Sequence, residues 1–415
     1  MRDNTLVAAL AKAGHDALLI PTYTPIRTDE QDVSQSRVFF GGINVYLEQK
    51  FWLFRHTPRL LDRLLNFRWL LRWVSRFAVN VNYSELGKLT ISMLRGADGK
   101  QKKEVASINH WLARDFQPET VVLTNALLSG VIPEFRRSLR VPIFVTLQGD
   151  DVFLAELPEA DRRACIDLIR ANCADVAGFI CTSRYYADFM ADYLRLPREK
   201  MHVVYPGINL AGHGIAEGAE PPERPFTIGY FARICREKGL HNLVDAFVQL
   251  RRMPGVPVVR LKVSGWLGAN NRGYFEEQVK KIAVAGLTAD FEHVDAPTHD
   301  DKVRFLQSID VLSVPTTYHE PKGLYILEAW ANRVPVVQPR HGSFPELIES
   351  TGGGLVVEPD DTAALAMGLR RMLEDRELRE GFRLAGEKAV RERFSAEVMA
   401  HETVMLLDRV MRSGK

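Results

Sequence analysis

The amino-acid sequence predicts an α/β protein with two doubly wound parallel-sheet domains that face a central cleft. Three observations support this fold class. The chain has 415 residues, which is more than a domain with one hydrophobic core usually contains. Short apolar runs alternate with amphipathic helical segments, which is typical of parallel sheets covered on both faces. One stretch rich in Gly, Pro and Glu, residues 211–225, interrupts that alternation and predicts a linker.

The predicted strands fall into two groups, one on each side of this linker. In the first half they are Asp16–Pro21, Thr120–Thr124, Val141–Leu147, Gly178–Thr182 and Met201–Tyr205. In the second half they are Phe226–Phe231, Arg260–Ser264, Phe291–Val294, Val311–Val314, Val334–Gln338 and Gly354–Val357. The predicted domains are therefore 1–210, with a helical insertion at about 50–112, and 226–395, followed by a last segment at 396–415. We expect the ligand between them, at the carboxyl ends of the strands.

The N-terminal segment departs from the usual order of a doubly wound domain. The helix Leu6–Gly14 precedes the first strand candidate, Asp16–Pro21, whereas such domains open with a buried strand. Two interpretations stay open: an opening strand is missing from this numbered sequence, which we favour, or the first sheet is built differently.

Composition excludes several classes of protein. Lys and Arg total 54 against 52 Asp and Glu, so the cationic excess of a general nucleic-acid binder is missing. The four cysteines form no C-x-x-C pair, which argues against a disulfide framework or a zinc site. The sequence has neither a recognisable signal peptide nor an apolar run of membrane-spanning length, and a cytoplasmic location is predicted.

Two cations lie in the loop that follows the first strand of the second half. Arg233 and Lys238 precede Gly239 and the predicted helix Leu240–Met253. Cations at the edge of a sheet suit a diphosphate, and they stabilise the charge of a leaving phosphate. The alternative is a pair of solvated surface charges.

Two glutamates, Glu320 and Glu328, bracket seven residues after another buried strand. Gly323 stands where a helix is predicted to begin, and it allows the backbone to approach a ligand closely. Glu320 can reach sugar hydroxyls from the loop, and Glu328 can accept both hydroxyls of a ribose. Alternatively, both are ordinary glutamates of a helix.

Four ordered segments resemble the retaining glycosyltransferases of family 4, which have the GT-B fold of two Rossmann-like domains. The segments are ARICREKG (232–239), PTTYHEPKGLYILEAWANRVPVV (315–337), HGSFPELI (341–348) and GGLVVEPDD (353–361). Together with VVYPGIN (203–209), the resemblance covers most of residues 201–375. It implies transfer of a sugar from a nucleoside diphosphate sugar of the UDP or GDP type to an acceptor hydroxyl, with retained anomeric configuration. The acceptor, a glycan, a lipid-linked sugar or a small molecule, stays unknown.

The resemblance also implies roles for individual residues. Arg233 and Lys238 would hold the donor diphosphate, Glu328 the ribose, and Glu320 the donor sugar. Backbone amides that would bind sugar and phosphate belong to Gly323, Leu324 and Tyr325. No metal and no other cofactor are expected, because the two cations neutralise the diphosphate. The helix Ala396–Arg412 would pack back on the first domain, as in relatives.

The sequence departs from the family pattern at Pro321, Lys322 and Arg333. The pattern has Gly and an aromatic residue at the first two positions and Gly at the third. Lys322 would lie near the donor sugar, where it could recognise an acidic sugar. A lysine at a helix start that points to water is the interpretation we favour.

The first half resembles the family more weakly. Gly41 and Gly42 form a Gly-Gly loop that would lie near the diphosphate, although a structural turn explains them equally well. Gln148 stands where the family has a His that contacts donor sugar and acceptor. If the reaction needs a base, Asp150 is the candidate, since Gln cannot act as one. The alternative is that Asp150 and Asp151, which stand before Val152, cap the N-terminus of a helix.

Residues 50–77 combine many arginines with three tryptophans and a single acidic residue. This composition suits peripheral contact with the inner face of a membrane. An insertion that packs over the first sheet and shapes the acceptor pocket explains it as well.

Two alternative functions are a non-catalytic nucleotide-sugar-binding protein and a nucleotide-sugar epimerase on the same fold.

Overall fold

The computed structural model describes residues 2–21, 30–34, 83–214 and 224–413. Three sequence predictions lie outside these residues: the Gly41–Gly42 loop, the segment 50–77 and most of the linker 211–225. The described chain forms two parallel sheets, one of four strands and one of six. The predicted fold class is confirmed.

The first sheet has the strand order β1-β2-β3-β4, so neighbours in the sheet are neighbours in sequence. All three pairings are parallel. The strands are β1 (Val121–Leu123), β2 (Ile143–Leu147), β3 (Gly178–Cys181) and β4 (Met201–Val203). Strands β2 and β3 are buried throughout, as apolar runs covered by helices on both faces should be.

The second sheet has the order β10-β9-β8-β5-β6-β7. Its strands are β5 (Phe226–Phe231), β6 (Val259–Ser264), β7 (Phe291–Val294), β8 (Val311–Leu312), β9 (Val336–Pro339) and β10 (Gly354–Val357). Strand β5 pairs with both β6 and β8, so the strand order reverses there. The loops after β5 and β8 therefore leave adjacent strands at the same edge, where doubly wound sheets bind ligands.

Helices surround both sheets. In the first domain and its N-terminal segment they are α1 (Arg2–Lys12), α2 (Tyr83–Leu94), α3 (Lys102–Trp111), α4 (Ile132–Ser138), α5 (Asp150–Ala155), α6 (Glu159–Asn172) and α7 (Arg184–Leu194). After β5 they are α8 (Leu240–Arg252), α9 (Arg272–Val284), α10 (His299–Gln307), α11 (Leu324–Ala331), α12 (Phe344–Thr351), α13 (Thr362–Glu374), α14 (Arg376–Arg393) and α15 (Ala396–Ser413).

Helix α11 is buried at every position after its first residue. Trp330 donates its indole N–H to the carbonyl of Gly353 at 2.8 Å, which satisfies its polar atom inside the core. Gly386 of α14 packs against the same ring, where a Cβ would lie 2.5 Å from Trp330 Cδ1. This close packing fixes α11, and with it the residues at its start.

The last helix, α15, leaves the second domain and packs against the first. Met399 and Ala400 join Leu6 of α1 and Phe144 and Ile180 of the first sheet in one apolar cluster. Its start is joined to the domain junction by a parallel bridge between residues 208 and 395. Helix α15 therefore ties the two domains together behind the cleft.

Two N-terminal predictions differ from the structure. The predicted strand Asp16–Pro21 is wrong: Leu19 makes one isolated bridge with Ser34, and a strand needs a partner along its whole length. The first helix begins at Arg2 rather than at Leu6. The missing opening strand stays a prediction. The remaining strands match their predicted limits or differ from them by one or two residues at an end, because ladder pairing rather than apolar character sets a strand's ends.

Candidate active site between the domains

The loops after β5 and β8 touch at a glycine. Gly239 has φ +71° and ends the 3₁₀ turn that carries Lys238; a Cβ there would lie 1.7 Å from the Pro315 carbonyl oxygen. Only glycine combines this φ with so close an approach. The glycine therefore brings Lys238 against the loop that carries Glu320.

Lys238, Tyr318 and Glu320 form a buried cluster at this point. The Lys238 ammonium lies 2.5 Å from Glu320 Oε2 and 2.7 Å from the Tyr318 hydroxyl, which also donates to Glu320 Oε2 at 2.5 Å. The ammonium sits 5.0 and 5.2 Å from the ring centroids of Tyr318 and Tyr325. Burial raises the pKa of Glu320, but Lys238 and the Tyr318 hydroxyl lower it more, and the carboxylate stays ionised.

Glu320 also organises the start of α11. Its Oε1 faces the backbone N–H groups of Lys322 and Gly323 at 3.3 and 3.5 Å. Gly323, at φ +64°, is the N-cap, and the helix begins at Leu324. A carboxylate at a helix N-terminus is favourable, because the first N–H groups lack partners within the helix. The same amides are the ones a phosphate or a sugar hydroxyl would use.

The first domain presents Gln148 to this site from the end of β2. Its amide nitrogen donates to Asp3 Oδ2 and to the Thr124 carbonyl oxygen, both at 2.8 Å. Its amide oxygen lies 3.4 Å from the ammonium of Lys322, across the cleft. Gln148 is thus held by its own domain and contacts the opposite one. The Lys322 side chain points into the cleft, so our preferred interpretation of a lysine directed to water is wrong.

Asp150 is buried behind Gln148 and holds two loops. Its carboxylate accepts hydrogen bonds from the backbone N–H of Ala126 at 2.7 Å and of Gln148 at 3.1 Å. Burial raises the pKa of Asp150 to about 6, although both hydrogen bonds lower it. The N-cap of α5 is Gly149, so N-capping by Asp150 and Asp151 is wrong. Asp150 positions Gln148 and the loop after β1.

Direct hydrogen bonds join the two domains at the mouth of the cleft. Thr182 Oγ1 donates to the Pro321 carbonyl oxygen at 2.8 Å. Glu346 of α12 accepts the backbone N–H groups of Arg184 and Tyr185, both at 3.0 Å, and the hydroxyl of Tyr205. A carboxylate of the second domain therefore satisfies the first N–H groups of α7.

The four side chains expected around the donor do not all meet. Lys238 and Glu320 are in direct contact, whereas Arg233 is exposed at the edge of the loop, and its carbonyl accepts the Tyr230 hydroxyl at 2.9 Å. Glu328 is buried and pairs with Lys302 of α10 at 2.8 Å. The predicted amide donors at Leu324 and Tyr325 lie in the first turn of α11, beside Glu320.

Sequence reasoning missed three participants in this site: Tyr318, Asp3 and Glu346. Tyr318 stands two residues before Glu320, a spacing that places both side chains on one side of an extended loop. Asp3 and Glu346 act from elements distant in sequence, and no local pattern marks them. A cavity of about 800 Å³ lies elsewhere, against β10 and α13, and contains none of the predicted site residues.

The described residues contain neither a cluster of metal-ligating side chains nor a membrane-spanning helix. No group of three or more His, Cys, Asp or Glu side chains in this part of the chain could hold a metal ion. Among the described helices, none has the length and apolar character that crossing a bilayer requires.

Comparisons with known protein families match both halves of the chain. A family model described as Glycosyl transferase 4-like domain matches residues 4–207, and one described as Glycosyl transferases group 1 matches residues 215–389. Each half of the chain thus matches a glycosyltransferase family model, and its two parallel-sheet domains have the GT-B fold.

Individual relatives are more distant. The chain is 26% identical over 237 residues to an uncharacterized glycosyltransferase, MJ1607, of Methanocaldococcus jannaschii, a match that covers 54% of this chain and 58% of that protein. It is 30% identical over 173 residues to a glycogen synthase of Mycobacterium tuberculosis, covering 42% of this chain and 40% of that one. The chain thus spans about half the length of these curated relatives.

A solved structure of Anabaena HepE in complex with UDP is similar to this fold. Its TM-score is 0.63 at 18% identity, and the match covers 76% of this chain and 84% of HepE. At this identity the similarity shows the fold alone.

Proposed function

We propose that the protein is a retaining glycosyltransferase that uses a nucleoside diphosphate sugar as donor. The observation that carries the proposal is the buried Lys238–Tyr318–Glu320 cluster at the switch point of the second sheet, with Gln148 facing it. The motifs resemble family 4, the family-model matches agree with that class, and HepE, of similar fold, was solved with UDP.

Lys238 supplies the charge for the leaving group in this proposal. An ammonium has three donors, and Tyr318 and Glu320 take two, so the third is left for a diphosphate oxygen. Charge that develops on the leaving phosphate is stabilised by a cation already fixed in place. Arg233, at the exposed edge of the same loop, adds a second cation from the solvent side.

Glu320 and the amides at the start of α11 hold the donor sugar, and Gln148 orients the sugar or the acceptor. Gln148 cannot take a proton near neutral pH, and Asp150 has both oxygens engaged by backbone N–H groups. The acceptor proton therefore goes to the leaving phosphate, from the same face of the sugar, and the anomeric configuration is retained. Glu328 binds the ribose, which requires it to share its carboxylate with Lys302. No metal is needed in this scheme.

The test starts with calorimetric titration of UDP and GDP into the full chain, followed by the matching sugar nucleotides with chelator present. We expect a nucleoside diphosphate to bind and its sugar nucleotide to be turned over, with the product anomer matching the donor by NMR. Binding without hydrolysis or transfer to any acceptor would support a non-catalytic binding protein. An inverted product, or activity lost on chelation and restored by a divalent cation, would overturn the mechanism.

A further inference from the structure

Arg2, the first residue of α1, has a buried guanidinium that is only partly satisfied. The residue is 4% exposed, and its Nη1 pairs with Asp3 Oδ1 at 3.0 Å. Its Nε and Nη2 atoms have no hydrogen-bond partner among the residues that the structure describes. Buried charged donors without partners are rare in proteins, because they lose hydration and gain nothing in return. Such a group calls for a ligand.

The two nitrogens without a described partner lie side by side on the planar guanidinium group. Nε and Nη2 form one straight edge of the guanidinium, with two N–H bonds that run parallel. This edge matches the two oxygens of a carboxylate or of a phosphate in a bidentate contact. Asp3 contacts the other side of the group through Nη1, so none of the described residues satisfies the two N–H groups of this buried edge.

A continuous chain of contacts connects Arg2 to the candidate active site. Asp3, which pairs with Arg2, accepts a hydrogen bond from Gln148, and Gln148 contacts the ammonium of Lys322. Arg2 and Lys322 therefore approach the same part of the cleft from opposite domains. Burial lowers the pKa of Lys322; Glu320 and Asp3 oppose that shift, whereas Arg2 adds to it, as expected for cations that share one site.

The carboxylates nearby already have partners. Asp3 is shared between Arg2 and Gln148, Glu320 is paired with Lys238, and Asp150 accepts two backbone N–H groups. Lys322 has one long contact, at 3.4 Å, from its side-chain nitrogen. The donors left over in this part of the described cleft are thus cationic, and they point to an anion.

We propose that Arg2 and Lys322 form a subsite for an anionic group, a carboxylate or a phosphate, of the substrate bound beside the transferred sugar. The inference rests on the proposed function, because Lys322 follows Glu320 by two residues and so lies next to the donor sugar. The anionic group has two sources: a carboxylate on the donor sugar, or a carboxylate or phosphate on the acceptor. The diphosphate of the donor is assigned to Lys238 instead.

The experiment uses calorimetry on the full chain and compares matched probes. The donor arm compares UDP-glucuronate with UDP-glucose, or the GDP-linked pair if GDP is the nucleotide that binds. The acceptor arm compares glycerol 1-phosphate with glycerol in the presence of the nucleotide. Inorganic phosphate is also titrated into the chain without nucleotide. The variants are Arg2→Met, Arg2→Lys and Lys322→Met, with Arg137→Met, whose side chain is 74% exposed, as the control.

We expect the anionic probe of one arm to bind at least about tenfold more tightly than its neutral counterpart, since a charged hydrogen-bonded pair carries that much affinity. The arm that responds identifies the source. Arg2→Met and Lys322→Met should bring the ratio close to one, Arg2→Lys should retain part of it, and Arg137→Met should leave it unchanged. Circular dichroism of each variant separates the loss of a contact from the loss of the fold. If Arg2→Met does not fold, the result for Lys322→Met alone tests the subsite.

Equal affinity for anionic and neutral probes in both arms would overturn the subsite. So would a loss of UDP or GDP affinity in Arg2→Met as large as the loss for the anionic probe, because Arg2 would then serve the diphosphate. Failure of both nucleotides to bind counts against the proposed function instead. In that case the phosphate titration decides the subsite, which requires at least about tenfold weaker phosphate binding in Arg2→Met.

Discussion

Two buried Lys–Glu pairs stand at the two glutamates of the same motif, and they differ in what surrounds them. Lys238–Glu320 has a nitrogen–oxygen distance of 2.5 Å and Lys302–Glu328 one of 2.8 Å, and both carboxylates are almost fully buried. The first pair includes the Tyr318 hydroxyl and lies one residue from Pro321, which contacts the first domain. The second pair links α10 to α11 inside the second domain.

The comparison teaches that residue type, spacing and burial do not tell a carboxylate that governs turnover from one that chiefly stabilises the fold. Both pairs satisfy these criteria, yet the loop pair is next to the opposite domain, while the helix pair joins two packed helices. We therefore expect the first pair to govern turnover and the second to govern chiefly stability, with a smaller effect on nucleotide affinity.

The largest expected effect is on stability, from Lys302→Met. Removal of one partner leaves Glu328 charged and buried, which costs about 3–5 kcal/mol of unfolding free energy. Urea denaturation measures the change, and the double variant Lys302→Met/Glu328→Met should recover most of it. Lys281→Met, which breaks a half-exposed pair with Asp245, should cost no more than about 1 kcal/mol. If Lys302→Met lowers the unfolding free energy as little as the Lys281→Met control does, the Lys302–Glu328 pair does not chiefly serve stability, and the proposed difference between the two pairs is wrong.

Lys238→Met should have the next largest effect, on turnover. Loss of a fixed cation facing the leaving group lowers the transfer rate by roughly 10² to 10³-fold, about 3–4 kcal/mol. Steady-state kinetics measure kcat and KM separately, and the loss should fall mainly on kcat. The comparison is reversed if Lys302→Met, assayed where it is folded, slows transfer as much as Lys238→Met does.

Asp150 offers a third case for comparison with the two Lys–Glu pairs. Its buried carboxylate has backbone N–H groups as partners, whereas Glu320 and Glu328 each have a lysine. Its pKa is raised from 3.8 to about 6, so the folded state binds the proton more tightly than the unfolded state does. Stability from this group is present at low pH and is lost as pH rises between those values. The total loss is about 3 kcal/mol.

Asp150→Asn removes that pH dependence. The unfolding free energy of the variant, relative to the unmodified chain, should therefore rise by up to about 3 kcal/mol between pH 4 and pH 7. Chemical denaturation at several pH values gives the difference directly. If the difference in unfolding free energy between the variant and the unmodified chain is constant across that range, burial does not raise the pKa of Asp150.

The smallest expected effect concerns the contact of Glu346 with the first domain. Tyr205→Phe removes one hydroxyl donor from this carboxylate and should cost about 1 kcal/mol, seen as a lower midpoint in thermal unfolding. Tyr193→Phe is the matched control, since the Tyr193 hydroxyl has no hydrogen-bond partner among the described residues. Equal midpoints for both variants would mean that the Tyr205 contact adds no stability at the junction.

Much of the second domain could be predicted from the sequence. Strands β5, β7 and β10 have their predicted limits, and Lys238 and Glu320 were placed in adjoining loops. Apolar runs and turn residues are local signals, so they can be read without the fold. The N-terminal segment was less predictable: the strand Asp16–Pro21 failed, because an apolar run becomes a strand only where a neighbour completes its ladder.

The sequence by itself determined the fold class, the two-domain organisation, and the order of motifs that brings a cation and a carboxylate to one sheet edge. Only the tertiary structure decided which lysine pairs with which glutamate, that Gln148 meets Lys322 across the cleft, and that two nitrogens of Arg2 have no hydrogen-bond partner among the described residues. The physical reason is range. Periodicity is a property of consecutive residues, whereas the partner of a buried charge is set by strand order and domain contact, which join residues far apart in the chain.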